Sequence, residues 1–449
     1  MHIGIDFGTS YSAAGAVVDG QLNLIRFGDA HQFRTAVFFP EVVPNVDDFV
    51  LTPALAAQVD AIMRSARGQP SQGTEAQRHR DAIRVVRRQW MEEQTRAASE
   101  SISSFQHALF GEEAVEAYLE EGTGHLIESP KSMLGYRLDA PVRRIIVSIA
   151  AHILEHIRLT ATRQLGVAVR GAVIGRPVEF RSSMGPSGGD QALELLREAA
   201  GIAGFDEVSF LEEPTAAAMH YHLSLDERQH ALIVDIGGGT TDVAYAELGG
   251  GHAPVIHRCW GLPKGGTDLD VGISLHSFMP HFGKDVSKVP VHHFVEAASV
   301  QILSKQREFR KQNYRLVEEP FGSRLRALQQ LGATTRLNRL AERIKIELGA
   351  TARSEASIDF IENDLAVSVE QDDFLLAADD LLQRLQRLLE QAREDIPDAP
   401  ASVFLTGGSS RSPHLQARVR ACFPDIALVE GDPSLGVVSG LAIACSGMT

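Results

Sequence analysis

At 449 residues the chain exceeds what a single hydrophobic core organises, and about 150 residues per unit implies roughly three domains or subdomains. Hydrophobic residues make up 44% and charged residues 22%, ordinary usage that excludes disordered, collagen-like and fibrous classes. Its 43 Lys and Arg against 58 Asp and Glu leave a net charge of −15, which repels a phosphate backbone and argues against nucleic-acid binding.

The first 39 residues read as a β-meander: HIGID, SAAGAVV, a turn at Asp19-Gly20, then LNLIRF. From about Thr52 to Gly124, Ala, Arg, Gln and Glu fall at helical spacing, with a soft break near Gly68 to Glu75. Pro141 to Leu165 predicts an amphipathic helix with Val142, Ile146, Ile149, Ile153 and Ile157 on one face, followed by the strand GAVIG. The helix ALELLREAAGIAG leads to the strand VSFL, and ALIVD and DVAYAEL then open a second meander across a glycine-rich turn. Residues 265–366 are mainly helical, with a basic run from Lys305 to Arg315, and an acidic helix covers Gln371 to Glu394. Strand SVFLT, helix HLQARVRACF, strand IALV and helix LGVVSGLAIA close the chain. Strands alternating with helices in both halves predict α/β lobes with mixed sheets.

Cys259, Cys422 and Cys445 are odd in number and form no CxxC, which suits neither a disulfide framework nor a zinc site. There is no basic leader, and no run reaches the roughly 18 apolar residues of a membrane span. The expectation is a cytoplasmic protein without membrane association.

An internal echo carries the functional signal. Asp6 in IGIDFGTS and Asp235 in LIVDIGGGTTD each end an apolar strand and precede Gly and hydroxyl residues, 229 positions apart. A phosphate chain needs backbone N–H donors unobstructed by side chains, which Gly8, Thr9, Ser10 and Tyr11 supply in the first half. Gly237, Gly238, Gly239, Thr240 and Thr241 supply them in the second. Asp6 and Asp235 face the same space, where Mg2+, keeping its waters, accepts an outer-shell carboxylate. One such motif alone is explained by a tight hairpin; the pair at half-length spacing favours phosphate binding. No G-x-x-x-x-G-K-[ST] is present, so this is not a P-loop protein.

Taken together, these motifs resemble the nucleotide-binding domain of the seventy-kilodalton heat-shock chaperones, the DnaK-like members of the actin and sugar-kinase superfamily. GIDFGTSYS is similar to the family's first phosphate motif, VDIGGGTTDV to its second, LTGGSSRSP to its adenosine motif and EPTAAAM to its first connecting helix, with shorter matches at KGGTDLD and AERIKIELG. SPKSMLG and IGRP bring the likeness nearest to the short YegD-like proteins that lack a peptide-binding domain. The resemblance implies a two-lobed actin-like ATPase fold, built from duplicated ribonuclease-H-like domains. It places the first lobe at 1–224, with core 1–33 and 140–224 and insertion 34–139. The second lobe is 225–449, with core 225–264 and 367–449 and insertion 265–366.

The resemblance also implies ATP and ADP as ligands, with Mg2+ and K+ as ions. Lys131 takes the role of the catalytic lysine beside the γ-phosphate and its water. Glu213 would organise the metal-bound water with Asp6 and Asp235, and Thr240 would approach the γ-phosphate. Gly265 and Gly266 extend the phosphate wall. Glu342 and Lys345 would clasp the ribose, Gly349 would border the base, Gly407, Gly408 and Ser409 would receive the nucleoside, and Arg411 would lie over the adenine. Asp242 would secure the second hairpin. Ile346 stands where the family has an adenine-stacking arginine, and Ser434 where its second connecting helix has an acid. The function implied is slow Mg-dependent ATP hydrolysis with nucleotide-driven cleft opening, read by a separate protein partner or co-chaperone.

Other readings remain at this point. The superfamily includes actin-like filament or scaffold proteins that use ATP as an assembly switch, and small-molecule kinases. His152-Ile-Leu-Glu155-His156 matches the H-x-x-E-H zinc motif, but helical geometry sets both histidines beside the apolar face of Ile149 and Ile153, where packing accounts for them. The stretch Arg64 to Arg96 holds eight arginines and four acids, a solvated face or a docking site for an acidic partner.

Overall fold

The computed structural model describes residues 1–39, 49–66, 74–103, 108–432 and 435–446. Strands β1 (His2–Phe7), β2 (Tyr11–Val18), β3 (Gln21–Leu24) and β4 (Gln32–Arg34) come first. An insertion follows: β5 (Ala36–Phe39), α1 (Pro53–Ala66), α2 (Glu75–Ser103), β6 (Leu109–Phe110), α3 (Gly111–Glu121) and β7 (His125–Glu128). Then α4 (Ala140–Leu165), β8 (Gly171–Arg176), α5 (Pro186–Ile202), β9 (Glu207–Glu212) and α6 (Glu213–His222) complete the first half. Its sheet runs β3-β2-β1-β8-β9, with β4 beside β2. The hairpin β1–β2 is antiparallel, whereas β8 and β9 join in parallel through helical crossovers.

The second half contains β10 (Gln229–Ile236), β11 (Thr241–Leu248), β12 (Val255–Leu262), α7 (Gly266–Ile273), α8 (Val291–Ala298), α9 (Leu303–Lys311), α10 (Phe321–Leu328) and α11 (Ala333–Glu347). It continues with β13 (Arg353–Ser357), β14 (Ala366–Glu370), α12 (Gln371–Asp395), β15 (Ser402–Thr406), α13 (Pro413–Cys422), β16 (Ala427–Glu430) and α14 (Gly436–Ser446). The sheet order is β12-β11-β10-β15-β16, with an antiparallel hairpin followed by two parallel strands. This repeats the first sheet strand for strand, so the echo around Asp6 and Asp235 reflects a duplicated topology.

Helix α4 shows why apolar length alone misleads. Val142–Leu165 is long and apolar enough to cross a membrane by length and composition, contrary to the expectation that no segment is. Yet Ile146, Ile149, Ile153 and Ile157 are buried with Ile3 and Ile5 of β1 and Leu195 and Leu196 of α5. That face is a sheet-covering face. Burying one such side chain contributes about 1.5–3 kcal/mol.

Each half lends a helix to the other. Helix α14 packs on β1, β2 and β8 of the first sheet and on α6, while α6 packs on β10 and β11 of the second. Ala216, Ala217 and Ala218 of α6 and Leu441 and Cys445 of α14 share one buried cluster with Ile233 and Ala244. Small side chains let the two helices approach closely at the base of the cleft. Two elements differ from the sequence reading: a small sheet β6-β5-β7 within the first insertion, and the hairpin β13–β14 within the otherwise helical second stretch. One β6 strand of two residues and the polar RSEAS of β13 leave no apolar run to detect.

Candidate functional site

The turns of the two hairpins face each other across the lobes. A Cβ built on Gly238 would lie 2.2 Å from Ser10 Oγ and 3.1 Å from its Cβ, so a side chain larger than hydrogen forces Ser10 to move where the second turn meets the first. Between and beside them opens a cavity of ≈ 370 Å³. Asp6, Gly8, Thr9, Ser10, Tyr11, Lys131, Glu213, Asp235, Gly237, Gly238, Gly239 and Thr240 line its inner part. Gly266, Glu342, Lys345, Gly349, Gly407, Gly408, Ser409 and Arg411 line the outer part. The structure thus draws together residues from seven separate stretches of sequence. Gly407 adopts φ +83°, and a Cβ built on it would lie 2.3 Å from Asp235 Oδ1 and 2.5 Å from the Ile236 carbonyl oxygen, so a side chain has no room there.

The inner wall concentrates negative charge. Lys131 sits in a 3-10 turn, Pro130–Met133, entered through Ser129 in the left-handed region at φ 54°. Its ammonium is 6% exposed and ion-paired to Glu213, the first residue of α6. Burial opposes the Lys131 charge, but Glu213 and Asp6 outweigh it and raise the ammonium's pKa. Burial, reinforced by Glu213, pushes Asp6 up to about 7 and Asp242 up to about 8. The same causes hold Asp235 well above the usual carboxylate range. Three buried aspartates and a glutamate therefore share one lysine, an arrangement that favours a cation or retained protons. Asp242 Oδ2 is buried without a hydrogen-bond partner, while its Oδ1 accepts the Val178 N–H at 2.6 Å and ties the second hairpin to the first lobe. Hard oxygen donors crowded beside glycine turns fit Mg2+ carrying phosphate oxygens.

Further charges bridge the lobes at the outer end. Arg34 of β4, 11% exposed, pairs with Glu342 of α11 at 2.7 Å and with Glu112 at 3.1 Å, and lies over the Tyr11 ring at 5.3 Å. Glu342, expected to clasp a ribose, is thus already engaged across the cleft. Lys345, which lines the cavity, pairs with the buried Asp270 at 2.7 Å. Near the second turn, Arg181 of the first lobe donates to the Gly239 carbonyl at 2.6 Å and pairs with Asp268.

Two expected contacts lie behind the wall. Thr241 is fully buried and donates its hydroxyl to the Lys264 carbonyl at 2.9 Å, because it is the first residue of β11 and its side chain points away from the cavity. Gly265 caps α7; the adjoining Gly266 and Thr267 amides donate to the Gly237 and Gly238 carbonyls, at 2.9 and 2.8 Å, so this segment braces the turn. Ile346 lines the outer cavity and is 67% exposed, leaving the base side without a stacking cation there. Ser434 lies outside the described residues. Nothing in the sequence marks Arg34 or Arg181 for the cleft: each is a lone arginine with no motif around it, brought there only by strand pairing and a first-lobe loop. His156 of the H-x-x-E-H match stacks on Phe110 at 4.5 Å, and burial pushes it down to about 4, which makes it a packing residue.

A family model described as Hsp70 protein matches residues 143–301 and 321–447, more than half of the chain. The chain belongs to the Hsp70 family. Its two mixed sheets are those of the family's actin-like ATPase fold, and the matched segments carry Glu213, Asp235 to Thr240, Glu342 to Gly349 and Gly407 to Arg411. The first hairpin and Lys131 fall outside the match and join the cavity through the fold. The chain is 29% identical over 282 residues to "Chaperone protein DnaK 1" of Synechococcus sp., covering 61% of this chain and 32% of that protein. It is 30% identical over 281 residues to "Chaperone protein DnaK" of Trichormus variabilis, covering 61% and 34%. A third relative, "Chaperone protein DnaK" of Anaplasma marginale, is 28% identical over 291 residues, covering 62% and 38%. The matches thus span about a third of each curated relative.

Proposed function

We propose that this Hsp70-family chain binds ATP with Mg2+ between its two hairpins, hydrolyses it slowly, and opens or closes its cleft with nucleotide state. The observation that carries this reading is the meeting of Asp6, Lys131, Glu213 and Asp235 beside two facing glycine turns in one cavity. Bound Mg2+ would supply charge neutralisation on the phosphate oxygens. The turn amides would hold the phosphates, and Thr240 would border the γ-phosphate. Lys131, fixed by Glu213, would hold the attacking water and stabilise charge on the transferring phosphoryl group. K+ would be a second cation drawn to the same carboxylate cluster of Asp6, Glu213 and Asp235. Single-turnover hydrolysis tests the assignment: Lys131→Ala should slow it by about 100-fold or more, and an unchanged rate would remove Lys131 from the reaction.

Supporting a nucleotide-driven cleft, the closing contacts come from both lobes: Gly238 against Ser10, Arg34 to Glu342, and Arg181 to Gly239. A ligand shifts such an equilibrium only by its differential affinity, and the γ-phosphate, present in ATP and absent from ADP, would bridge the two turns. In this reading, which is nearest to YegD-like relatives, a separate co-chaperone or other protein partner reads the change through the insertions. The exposed Arg80, Arg84, Arg87 and Arg88 of α2 offer a basic face on an acidic protein. Free thiols suit a reducing, cytoplasmic setting. Hydrogen exchange with ATP, ADP and no nucleotide should give three different protection patterns across the lobes; identical patterns would mean a static binder.

A further inference from the structure

Away from the cleft, three side chains converge on the far end of the second sheet. His230 near the start of β10 stands directly opposite Glu247 of β11, so the two share one face of the sheet. Asp235, which reaches the nucleotide cavity, lies five residues further along the same strand, about 17 Å away at the usual rise per residue. The third residue, His257, comes from the edge strand β12. There the pairing shifts: Tyr245 faces Arg258 while Ala246 faces Ile256. His257 is therefore the extra residue of a β-bulge. Simple alternation would send it to the opposite face from Arg258, but a bulge re-aims a side chain, and here it turns His257 toward Tyr245 and His230, with ring centroids at 5.7 and 5.8 Å.

We propose that His230, Glu247 and His257 form a binding site for a divalent transition ion of the zinc class. One ligand atom from each lies within 4.8 Å of the other two. Tetrahedral Zn2+ with bonds of about 2.1 Å needs its ligands about 3.4 Å apart, so the three must close by up to about 1.4 Å, a movement that χ rotation supplies. Two imidazoles with a carboxylate select zinc-like ions over Mg2+ or Ca2+, which prefer all-oxygen sets. Among the described residues neither imidazole makes a hydrogen bond to a protein group, so nitrogen lone pairs are open to a metal. His230 is held in place by its stack on Tyr245 at 5.2 Å, whose hydroxyl donates to the Asp398 carbonyl. Arg228 grips the Glu247 carboxylate at 2.7 Å, orienting it as an outer-shell partner does. Its positive charge also weakens the site for a cation. His257 is exposed, giving the ion a path in and leaving a fourth position to water. A bound ion would tie the edge strand β12 to β11 and β10.

The experiment uses the full chain, freed of any histidine tag, without nucleotide. Zn2+ titration by calorimetry, and Co2+ as a visible-absorption probe of tetrahedral nitrogen and oxygen coordination, should report one site per chain. Thermal stability should rise with Zn2+. His257→Ala, an exposed change that leaves metal-free stability unaltered, should weaken binding at least about tenfold and abolish both the Co2+ band and the thermal gain. Glu247→Gln should weaken it without changing stoichiometry, and His152→Ala on α4 should leave Zn2+ affinity and the Co2+ band unchanged. Equal Zn2+ binding by wild type and His257→Ala, or a Co2+ spectrum of the hexaaquo ion, would overturn the site.

Discussion

The two lobes share a strand order but treat their insertions differently. In the first, α1 and α2 meet through a small cluster of their own, Val59, Ala82 and Val86 with Phe49, Leu55 and Ile62 around them. In the second, Phe294, Phe309, Leu325, Leu337 and Ile344 of α8 to α11 belong to the same cluster as Leu232 and Val234 of the sheet. The cleft explains the contrast. Glu342 and Lys345 project from α11 into the cavity, so that insertion must be as rigid as the sheet; α1 and α2 contribute no cavity residue. A duplicated scaffold thus became asymmetric: the second insertion brings a helix to the site, while the first brings only the Lys131 turn and leaves α1 and α2 apart.

The largest effect that would sharpen this contrast is on stability. Phe309, fully buried, should cost about 3–5 kcal/mol when changed to Ala, and it should unfold the second lobe as a unit. Val86→Ala, equally buried, should cost about 1–2 kcal/mol and loosen only α1 and α2 in hydrogen exchange. Loss of protection throughout β1 to β9 in Val86→Ala would break the comparison.

Next is a contact across the outer end of the cleft. Arg34→Met leaves Glu342 without its 2.7 Å partner, while Glu112 keeps Arg339 and Arg336 still donates to the Leu119 carbonyl, and dissociation of ADP should speed by about tenfold or more. An unchanged release rate with intact stability would mean that Arg34 does not hold the lobes together.

The aspartates titrate in a direction that can be checked. Asp6 is raised from 3.8 to about 7, chiefly by burial, so between those values the folded chain holds a proton that the unfolded chain has released. Without Mg2+, its contribution to stability is present below pH 4 and is lost as pH rises toward 7. Denaturant melts from pH 5 to 8 should therefore show wild type losing stability relative to Asp6→Asn, and Mg2+ with nucleotide should reverse that loss above pH 7. Parallel profiles would contradict the raised carboxylate. The smallest effect concerns the base: Ile346→Arg should tighten adenine nucleotide binding by about 0.5–1 kcal/mol.

Both sheets were legible because their central strands carry unbroken apolar runs, and the cavity was legible because backbone turns need glycine wherever the chain approaches phosphate. Long-range pairings were not. Arg34 reaches Glu342 across 308 positions, and nothing around either residue marks the other. Thr241 was read into the cavity since it continues the Thr240 motif, yet strand alternation turns its hydroxyl to Lys264. The bulge at His257 likewise has no sequence mark; HRCW reads as ordinary alternation until the register with Tyr245 is known.

The central claim is that two hairpins from two lobes hold one nucleotide. Calorimetric titration of Mg–ATP into wild type and Gly238→Val tests it most directly, with magnesium-free titration alongside. The account predicts one ATP per chain, dependence on Mg2+, and loss of binding when the valine pushes the Gly238 turn away from Ser10. Affinity and stoichiometry preserved in Gly238→Val would place the nucleotide, if it binds at all, somewhere other than between Asp6 and Asp235.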